Sequence, residues 1–171
     1  MEALIEDLLD LSRNGRSDEK GSLVDPRGVL LQLKAELKPR LDEGNFTLQV
    51  PSNPPLVFCA RTRLYQIFSN LIGNAIDHMG ECNDPEIRVE VISEPDHHRI
   101  SVHDNGAGID PEHHERIFQV FQSLDRRNQA GHCHGVGLAI VKKIAETRNG
   151  RAWVESAPGT GASFHVTLPI R

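Results

Sequence analysis

The sequence of 171 residues lacks any long hydrophobic run. A helix that spans a bilayer needs about 20 mostly apolar residues, and no stretch here approaches that length. Positive charge is not in excess either, since 19 Lys and Arg stand against 24 Asp and Glu, for a net charge of −5. The opening residues also lack the basic segment that begins a signal peptide. We therefore expect no membrane contact by this segment and no nucleic-acid partner.

Cysteine is also scarce. The three cysteines, Cys59, Cys82 and Cys133, are an odd number without a Cys-x-x-Cys spacing. This usage argues against a disulfide scaffold and favours a reducing compartment, so the sequence predicts a cytoplasmic location, even if the parent protein is anchored in a membrane elsewhere. The apolar share of 38% and the charged share of 25% are those of an ordinary globular domain.

Hydrophobic periodicity divides the chain into helices and strands. Residues 2–12 carry an apolar stripe with acids opposite, and residues 105–134 form a polar connection whose length is typical of a lid. The pattern predicts an α+β fold in which helices cover one face of a mixed sheet. Helices are predicted at 26–38, closed near Pro39, and at 62–79 and 136–147, and strands at 46–50, 56–59, 86–93, 99–103, 151–156 and 163–169.

A polar stripe marks the helix predicted at 62–79. Gln66, Asn70, Asn74 and Asp77 fall within a wedge of about 100° at the helical period. Asparagine is a mediocre helix former, so a plain exposed face would favour Glu, Lys or Gln. Amide oxygens four residues apart suit Mg²⁺, which keeps several waters and takes substrate phosphates as further ligands. A solvated helix face is the alternative interpretation.

Two glycine-rich segments accompany this stripe. Asp104 ends a predicted strand and is followed by Asn-Gly-Ala-Gly-Ile, which in isolation could be an ordinary turn. Glycines let a ligand ring approach the backbone, and a buried carboxylate that accepts from an exocyclic amine favours adenine over guanine. Gly135 and Gly137 open the last predicted helix, where backbone N–H groups and the helix dipole bind phosphate readily. The three segments together predict a nucleotide site.

These segments resemble the ATP-binding catalytic domain of sensor histidine kinases, within the GHKL ATPase group. Residues 66–75 are similar to the N box of that family, 104–109 to its first glycine box, 117–121 to its F box, 135–141 to its second glycine box and 153–164 to its closing hairpin. The match runs from about residue 20 to the end of the sequence. The resemblance implies a two-layer α/β sandwich of the GHKL (Bergerat) type with a long ATP lid.

The resemblance also implies roles for the matching residues. Asn74 would bind Mg²⁺, and Asn70 would lie beside it near the metal waters and phosphates. Asp104 would accept from the adenine amino group, with Ser163 nearby through water. The other implied nucleotide contacts are Ile109, Leu138 and His78 around the base, Gly106, Gly108, Gly135, Val136 and Gly137 in the glycine boxes, Arg126 and Arg127 in the lid, and Phe118 and Phe121 as anchors of the lid.

A function and a set of partners follow from the same resemblance. The intact protein would transfer the γ-phosphate of ATP to a histidine on an upstream dimerisation helix, and the phosphate would then pass to the receiver domain of a response regulator. We expect residues 1–14 to be the C-terminal remnant of the dimerisation helix, 15–22 a linker and 23–171 the catalytic domain. Since the acceptor helix lies outside this sequence, the chain is not expected to autophosphorylate alone.

Three positions depart from the family pattern. Asp77 stands where a phosphate-reaching Lys is common, and Cys133 where a Gly is common. Ala60 stands where an Asp often caps the following helix, at a loss of roughly 1 kcal/mol. The main alternative is therefore a degenerate GHKL domain that acts as a docking module with little or no ATP turnover. A GHKL ATPase of another kind, such as a protein-refolding or strand-passing enzyme, or a GHKL-fold serine kinase, is a further alternative.

Overall fold

A five-stranded mixed sheet is the frame of the fold in the computed structural model, which describes residues 21–119 and 135–170. The strands of the described residues are β1 (Ser22–Val24), β2 (Thr47–Gln49), β3 (Val57–Cys59), β4 (Glu86–Ser93), β5 (His97–Asp104), β6 (Ala152–Ser156) and β7 (Ala162–Pro169). The order in the sheet is β2-β4-β5-β7-β6, with β2 parallel to β4 and the other neighbours antiparallel. A separate antiparallel pair joins β1 to β3.

The helices of the described residues are α1 (Pro26–Glu36), α2 (Lys38–Glu43), α3 (Arg61–Asp77) and α4 (Gly137–Glu146). Asp25 begins α1, because its Oδ1 accepts a hydrogen bond from Arg27 N at 2.9 Å. The predicted closure near Pro39 is wrong. The first helix ends at Glu36, and Pro39 lies in the first turn of α2, where its missing N–H costs no helical hydrogen bond.

One hydrophobic core joins the helical layer to one face of the sheet. Leu64, Phe68 and Leu71 of α3 are fully buried, as are Ile100 of β5 and Phe164 of β7. Burying each of these side chains contributes about 1.5–3 kcal/mol. The predicted α+β sandwich with a mixed sheet covered on one face by helices is confirmed.

The other face of the sheet is polar. Strand residues alternate between the two faces, so Ser101 lies opposite the core-facing Ile100. Ser101 Oγ lies 2.8 Å from Nδ1 of His165, on which the Trp153 ring stacks with 5.0 Å between ring centroids. Burial lowers the pKa of His165 and therefore favours its neutral form. No helix within the described ranges 21–119 and 135–170 is long and apolar enough to cross a membrane.

Candidate nucleotide-binding site

Asp104 lies at the end of β5 on the face of the sheet that the helices cover, like the buried Val102 two residues earlier. Its Oδ1 accepts backbone hydrogen bonds from Gly106 N at 2.9 Å and from Ala162 N at 3.2 Å. Burial raises the pKa of Asp104, and the two backbone donors act in the opposite direction. Because both donors use the same oxygen, Oδ2 is the atom that can accept from a ligand amine.

Two glycines on neighbouring loops let backbone pass very close to backbone around Asp104. Gly161 has φ +75°, and a Cβ there would lie 2.0 Å from the backbone oxygen of Asp104. Gly108 has φ +76°, and a Cβ there would lie 2.0 Å from the backbone oxygen of Ala157. Both positions combine a left-handed backbone with contact to another backbone, so only glycine fits them without displacement.

Backbone hydrogen bonds fix the loop that follows Asp104 against the end of α3. Ala107 N donates to the oxygen of Met79 at 3.1 Å, and Ala107 O accepts from Gly159 N at 2.7 Å. Ile109 N donates to Oγ of Ser156 at 2.8 Å. His78, exposed at the end of α3, is close enough to Asp104 to favour the charged carboxylate electrostatically. The loop after β5 and the end of α3 therefore form one rigid wall.

The amide pair lies further back along α3. Asn70 Nδ2 donates to the backbone oxygen of Gln66 at 2.9 Å, which fixes the orientation of its amide. A Cβ on Gly137 would lie 2.7 Å from Asn70 Oδ1, so this oxygen faces the first turn of α4. Val136, the residue before α4, makes no side-chain capping bond to the N–H groups of that turn. Amide oxygen and helix N-terminus therefore lie side by side, as the sequence predicts for a site that binds both metal and phosphate.

The donor set fits a hard cation. Asn70 and Asn74 are both half-buried and lie four residues apart on one side of α3. Within residues 21–119 and 135–170 no group of three or more His, Cys, Asp or Glu side chains could hold a metal. A cation here would depend on amide oxygens together with phosphate oxygens and water, which is the coordination that Mg²⁺ accepts readily.

The remaining predicted contacts lie at several places. Ile109 and Leu138 are half-buried and pack against the core. Phe118 is buried, with its ring at 67° to that of Phe164 and 6.3 Å between centroids, as an anchor of the preceding loop would be. Gly135 has φ +66°. Phe121, Arg126, Arg127 and Cys133 lie outside the described residues.

The structure does not bring Ser163 to Asp104. Ser163 pairs with His103 across β5 and β7, and its Oγ lies 2.7 Å from His103 Nδ1. Successive side chains of a strand point to opposite faces, so Ser163 belongs to the polar face. The adjacent residue Ala162 contacts the carboxylate instead, through its backbone N–H.

Sequence reasoning missed Arg40. Its Nη2 lies 2.5 Å from Oδ1 of Asp77, the last residue of α3. The two residues are 37 positions apart. A pattern based on local periodicity carries no signal for such a contact, and the partition of the chain into α1 and α2, on which the contact depends, was not predicted.

A groove of about 540 Å³ opens on the outer side of the helical layer, next to Asn70. It runs over the first half of α3 between α1 and α4. The residues around it are Gln32, Glu36, Arg61, Thr62, Tyr65, Gln66, Ser69, Asn70 and Ile140. The groove therefore leads from the surface to Asn70.

A mixed sheet covered on one face by helices, with Asp104 at a strand end and Asn70 facing the start of α4, is the arrangement expected of an ATPase of the GHKL class. Residues 59–171 match the family described as histidine kinase-, DNA gyrase B-, and HSP90-like ATPase, and the chain belongs to that family. The resemblance and the GHKL fold predicted from the sequence are thereby confirmed.

Curated relatives are similar over almost the whole chain. The phytochrome-like protein Cph1 of Synechocystis sp. is 37% identical over 170 residues, which are 99% of this chain and 22% of Cph1. The methanogenesis regulatory histidine kinase FilI of Methanothrix harundinacea is 36% identical over 173 residues, 99% of this chain and 19% of FilI. The chain thus spans about a fifth of the length of these relatives.

Solved structures agree with this assignment. Full-length ShkA, crystallised in complex with AMPPNP, superimposes with a TM-score of 0.81 at 29% identity, over 98% of this chain and 35% of that protein. The histidine kinase AdeS of Acinetobacter baumannii superimposes with a TM-score of 0.76 at 26% identity, over 99% of this chain and 78% of the AdeS chain.

Proposed function

We propose that the chain is the catalytic domain of a two-component sensor histidine kinase, which binds Mg²⁺·ATP and presents the γ-phosphate to a histidine on an upstream dimerisation helix. The observation that carries the proposal is the contact between Asn70 and Gly137. It puts the amide oxygen of Asn70, in the N box, beside the first backbone N–H groups of α4. The polar stripe that would hold the metal and the helix N-terminus that would bind phosphate therefore meet in one place, which a merely structural helix contact does not require.

Each end of the nucleotide would be held by different chemistry. The Asp104 carboxylate would accept from the adenine amino group through Oδ2, and Ile109, Leu138 and His78 would surround the base. The first turn of α4, to which Val136 gives no side-chain cap, would bind phosphate through its N–H groups and the helix dipole.

The amide oxygen of Asn74, with Asn70 beside it, would hold Mg²⁺, and the ion would neutralise phosphate charge. Phosphoryl transfer is catalysed mainly by positioning and by charge neutralisation, so this chain needs no nucleophile of its own. The groove next to Asn70 would give the acceptor side chain a route to the phosphate end. A response-regulator receiver domain would take the phosphate in the next step.

The structure weakens the degenerate docking-module alternative. That alternative depends on the acidic Asp77 and on Cys133, which lies outside the described residues. Asp77 is not an isolated negative charge, because Arg40 lies on its Oδ1. Relatives named as histidine kinases also match almost the full length of the chain. The domain boundaries at 14 and 22 and the cytoplasmic location, which the sparse cysteines favour, stay predictions.

Asp104→Asn tests the nucleotide assignment. The asparagine keeps an oxygen for the two backbone donors but turns an N–H₂ group toward the adenine amine, so Mg²⁺·ATP affinity should fall at least about tenfold in calorimetry. Asp110→Asn is the matched control. Asp110 is exposed and caps only the short turn after it, through Glu112 N at 3.0 Å. Equal affinities for the two variants would contradict the proposal.

The pH dependence gives a second measurement on the same variant. Because burial raises the pKa of Asp104, its carboxylate takes up a proton at a higher pH than an exposed Asp. ATP affinity should therefore weaken as the pH falls through that raised pKa, and Asp104→Asn should lack this step. A raised pKa in the folded state also means that stability is lost as the pH rises through it. Asp104→Asn should accordingly unfold at no lower temperature than the original chain at neutral pH.

The kinase step needs the acceptor. A longer chain that includes the upstream helices, incubated with γ-labelled ATP and Mg²⁺, should acquire label that is acid-labile and base-stable, as phosphohistidine is. Absence of label with every divalent metal, together with intact ATP binding, would favour the docking-module alternative.

A further inference from the structure

The ion pair between Arg40 and Asp77 lies at the rim of the candidate site. Asp77 ends α3 seven residues after Asn70, which at the helical period puts it on the same side of the helix, about 10 Å further along. Arg40 Nη2 contacts Asp77 Oδ1 at 2.5 Å, with the side chains 41% and 20% exposed, respectively. Both groups are thus partly shielded and close to the stripe that carries Asn70 and Asn74.

The break between α1 and α2 puts Arg40 in this position. Leu37 joins the two helices, and Pro39 in the first turn of α2 fixes the new direction. Leu41, the neighbour of Arg40, is buried in the core and holds the short helix down. The backbone of Arg40 is therefore held in place by the packing of α2 on the core.

If a polyphosphate binds near Asp77, a positive charge beside the Asp77 carboxylate is needed to offset its repulsion. A carboxylate on the metal-binding stripe repels phosphate oxygens, and this repulsion is felt over several ångströms at a partly shielded site. The Arg40 guanidinium carries a positive charge, so its contact with Asp77 Oδ1 balances the charge of the carboxylate.

We propose that Arg40 is a positioning residue for the nucleotide, which neutralises the Asp77 carboxylate so that a polyphosphate can lie beside it. This inference rests on the proposed function, because it requires the polyphosphate of ATP to lie along the stripe of Asn70 and Asn74. It assigns a nucleotide-dependent role to a residue outside all four boxes.

A double-mutant cycle tests the proposal in the 171-residue chain. Arg40→Ala should weaken Mg²⁺·ATP binding about three- to tenfold at low salt, because it takes one cation away from Asp77. Asp77→Asn should leave affinity unchanged or raise it. The double variant should recover to within about twofold of the original, since neither charge is then present. Lys38→Ala is the matched control, because Lys38 pairs with Asp42 at 2.7 Å on the same helix with both side chains well exposed.

Two further readouts separate a charge effect from loss of structure. The loss in Arg40→Ala should shrink at high salt, and it should be absent for adenosine, which has no phosphate. Equal losses for ATP and adenosine would overturn the proposal, as would a double variant as weak as Arg40→Ala. ATP binding that Arg40→Ala does not change overturns the role of Arg40 alone, whereas failure of the original chain to bind Mg²⁺·ATP overturns this role and the proposed function together.

Discussion

The two ends of the candidate site are built in different ways. At Asp104 the wall consists of backbone packed on backbone, with hydrogen bonds from Gly106 N and Ala162 N at 2.9 and 3.2 Å and with Gly161 against the strand. At Asn70 the site consists of side chains on one helix that face the start of α4. The first end is fixed by the fold itself. The second end is held by side-chain contacts, such as the 2.9 Å hydrogen bond from Asn70 Nδ2 to Gln66 O, and these shift more easily than packed backbone when an ion and a polyphosphate bind.

Gly161→Ala should have the largest effect, because it attacks the backbone-built end. The new Cβ would lie 2.0 Å from the oxygen of Asp104 at a φ of +75°, so the loop or the strand must shift. We expect a loss of about 2–4 kcal/mol in the free energy of unfolding, measured with urea.

Gly159→Ala is the control for this change. Its φ is +79°, yet no atom of residues 21–119 and 135–170 lies within 4 Å of the added Cβ, so only the left-handed backbone penalty of about 1 kcal/mol remains. Similar losses for the two variants would show that the contact with Asp104 does not stabilise the adenine end.

Gly137→Ala should affect the side-chain-built end with a different signature. Its Cβ would meet Asn70 Oδ1 at 2.7 Å, and a side chain can move away where a backbone cannot. Stability should therefore change by less than about 1 kcal/mol, while ATP affinity in the presence of Mg²⁺ should fall about tenfold through the displaced amide.

Gly73→Ala is the control on the neighbouring turn, because no atom in the described part of the chain lies within 4 Å of its added Cβ. It should leave affinity unchanged and stabilise α3 by up to about 1 kcal/mol through helix propensity. If Gly137→Ala lost as much free energy of unfolding as is expected for Gly161→Ala, the end at Asn70 would be as rigid as the end at Asp104, and the comparison would fail.

The smallest effect concerns the start of the helix that carries both amides. Ala60 precedes α3 without a side-chain capping bond, whereas Asp25 caps α1. Ala60→Ser should raise the thermal midpoint through a gain of about 0.5–1 kcal/mol, and Asp25→Ala should lose a similar amount. Unchanged ATP affinity in Ala60→Ser would sharpen the comparison, since the site would then depend on the side chains of α3 and not on how firmly the helix begins.

The backbone-built end was the easier one to predict from sequence. Asp104, Gly106 and Gly108 lie within one short segment, so their chemistry and spacing could be read together. Ser163 shows the limit, because a difference of one position along a strand decides which face a side chain occupies, and Ala162 is the residue that contacts Asp104. The predicted roles of these side chains in binding stay predictions.

The side-chain-built end depends on contacts between distant segments. Asn70 and Gly137 could be proposed as partners because a nucleotide site requires both. Arg40 could not, since its contact with Asp77 depends on the path of the chain between α1 and α2. A proline in a helical pattern indicates a boundary, but it does not say whether the helix stops there or another begins.

A crystal structure of the chain with Mg²⁺ and ADP tests the central claim most directly. The account predicts the adenine amine within about 3 Å of Asp104 Oδ2 and the metal on the amide oxygen of Asn74, with phosphate at the first turn of α4. A nucleotide bound elsewhere, or a cleft between α3 and α4 filled by the protein's own side chains, would contradict it.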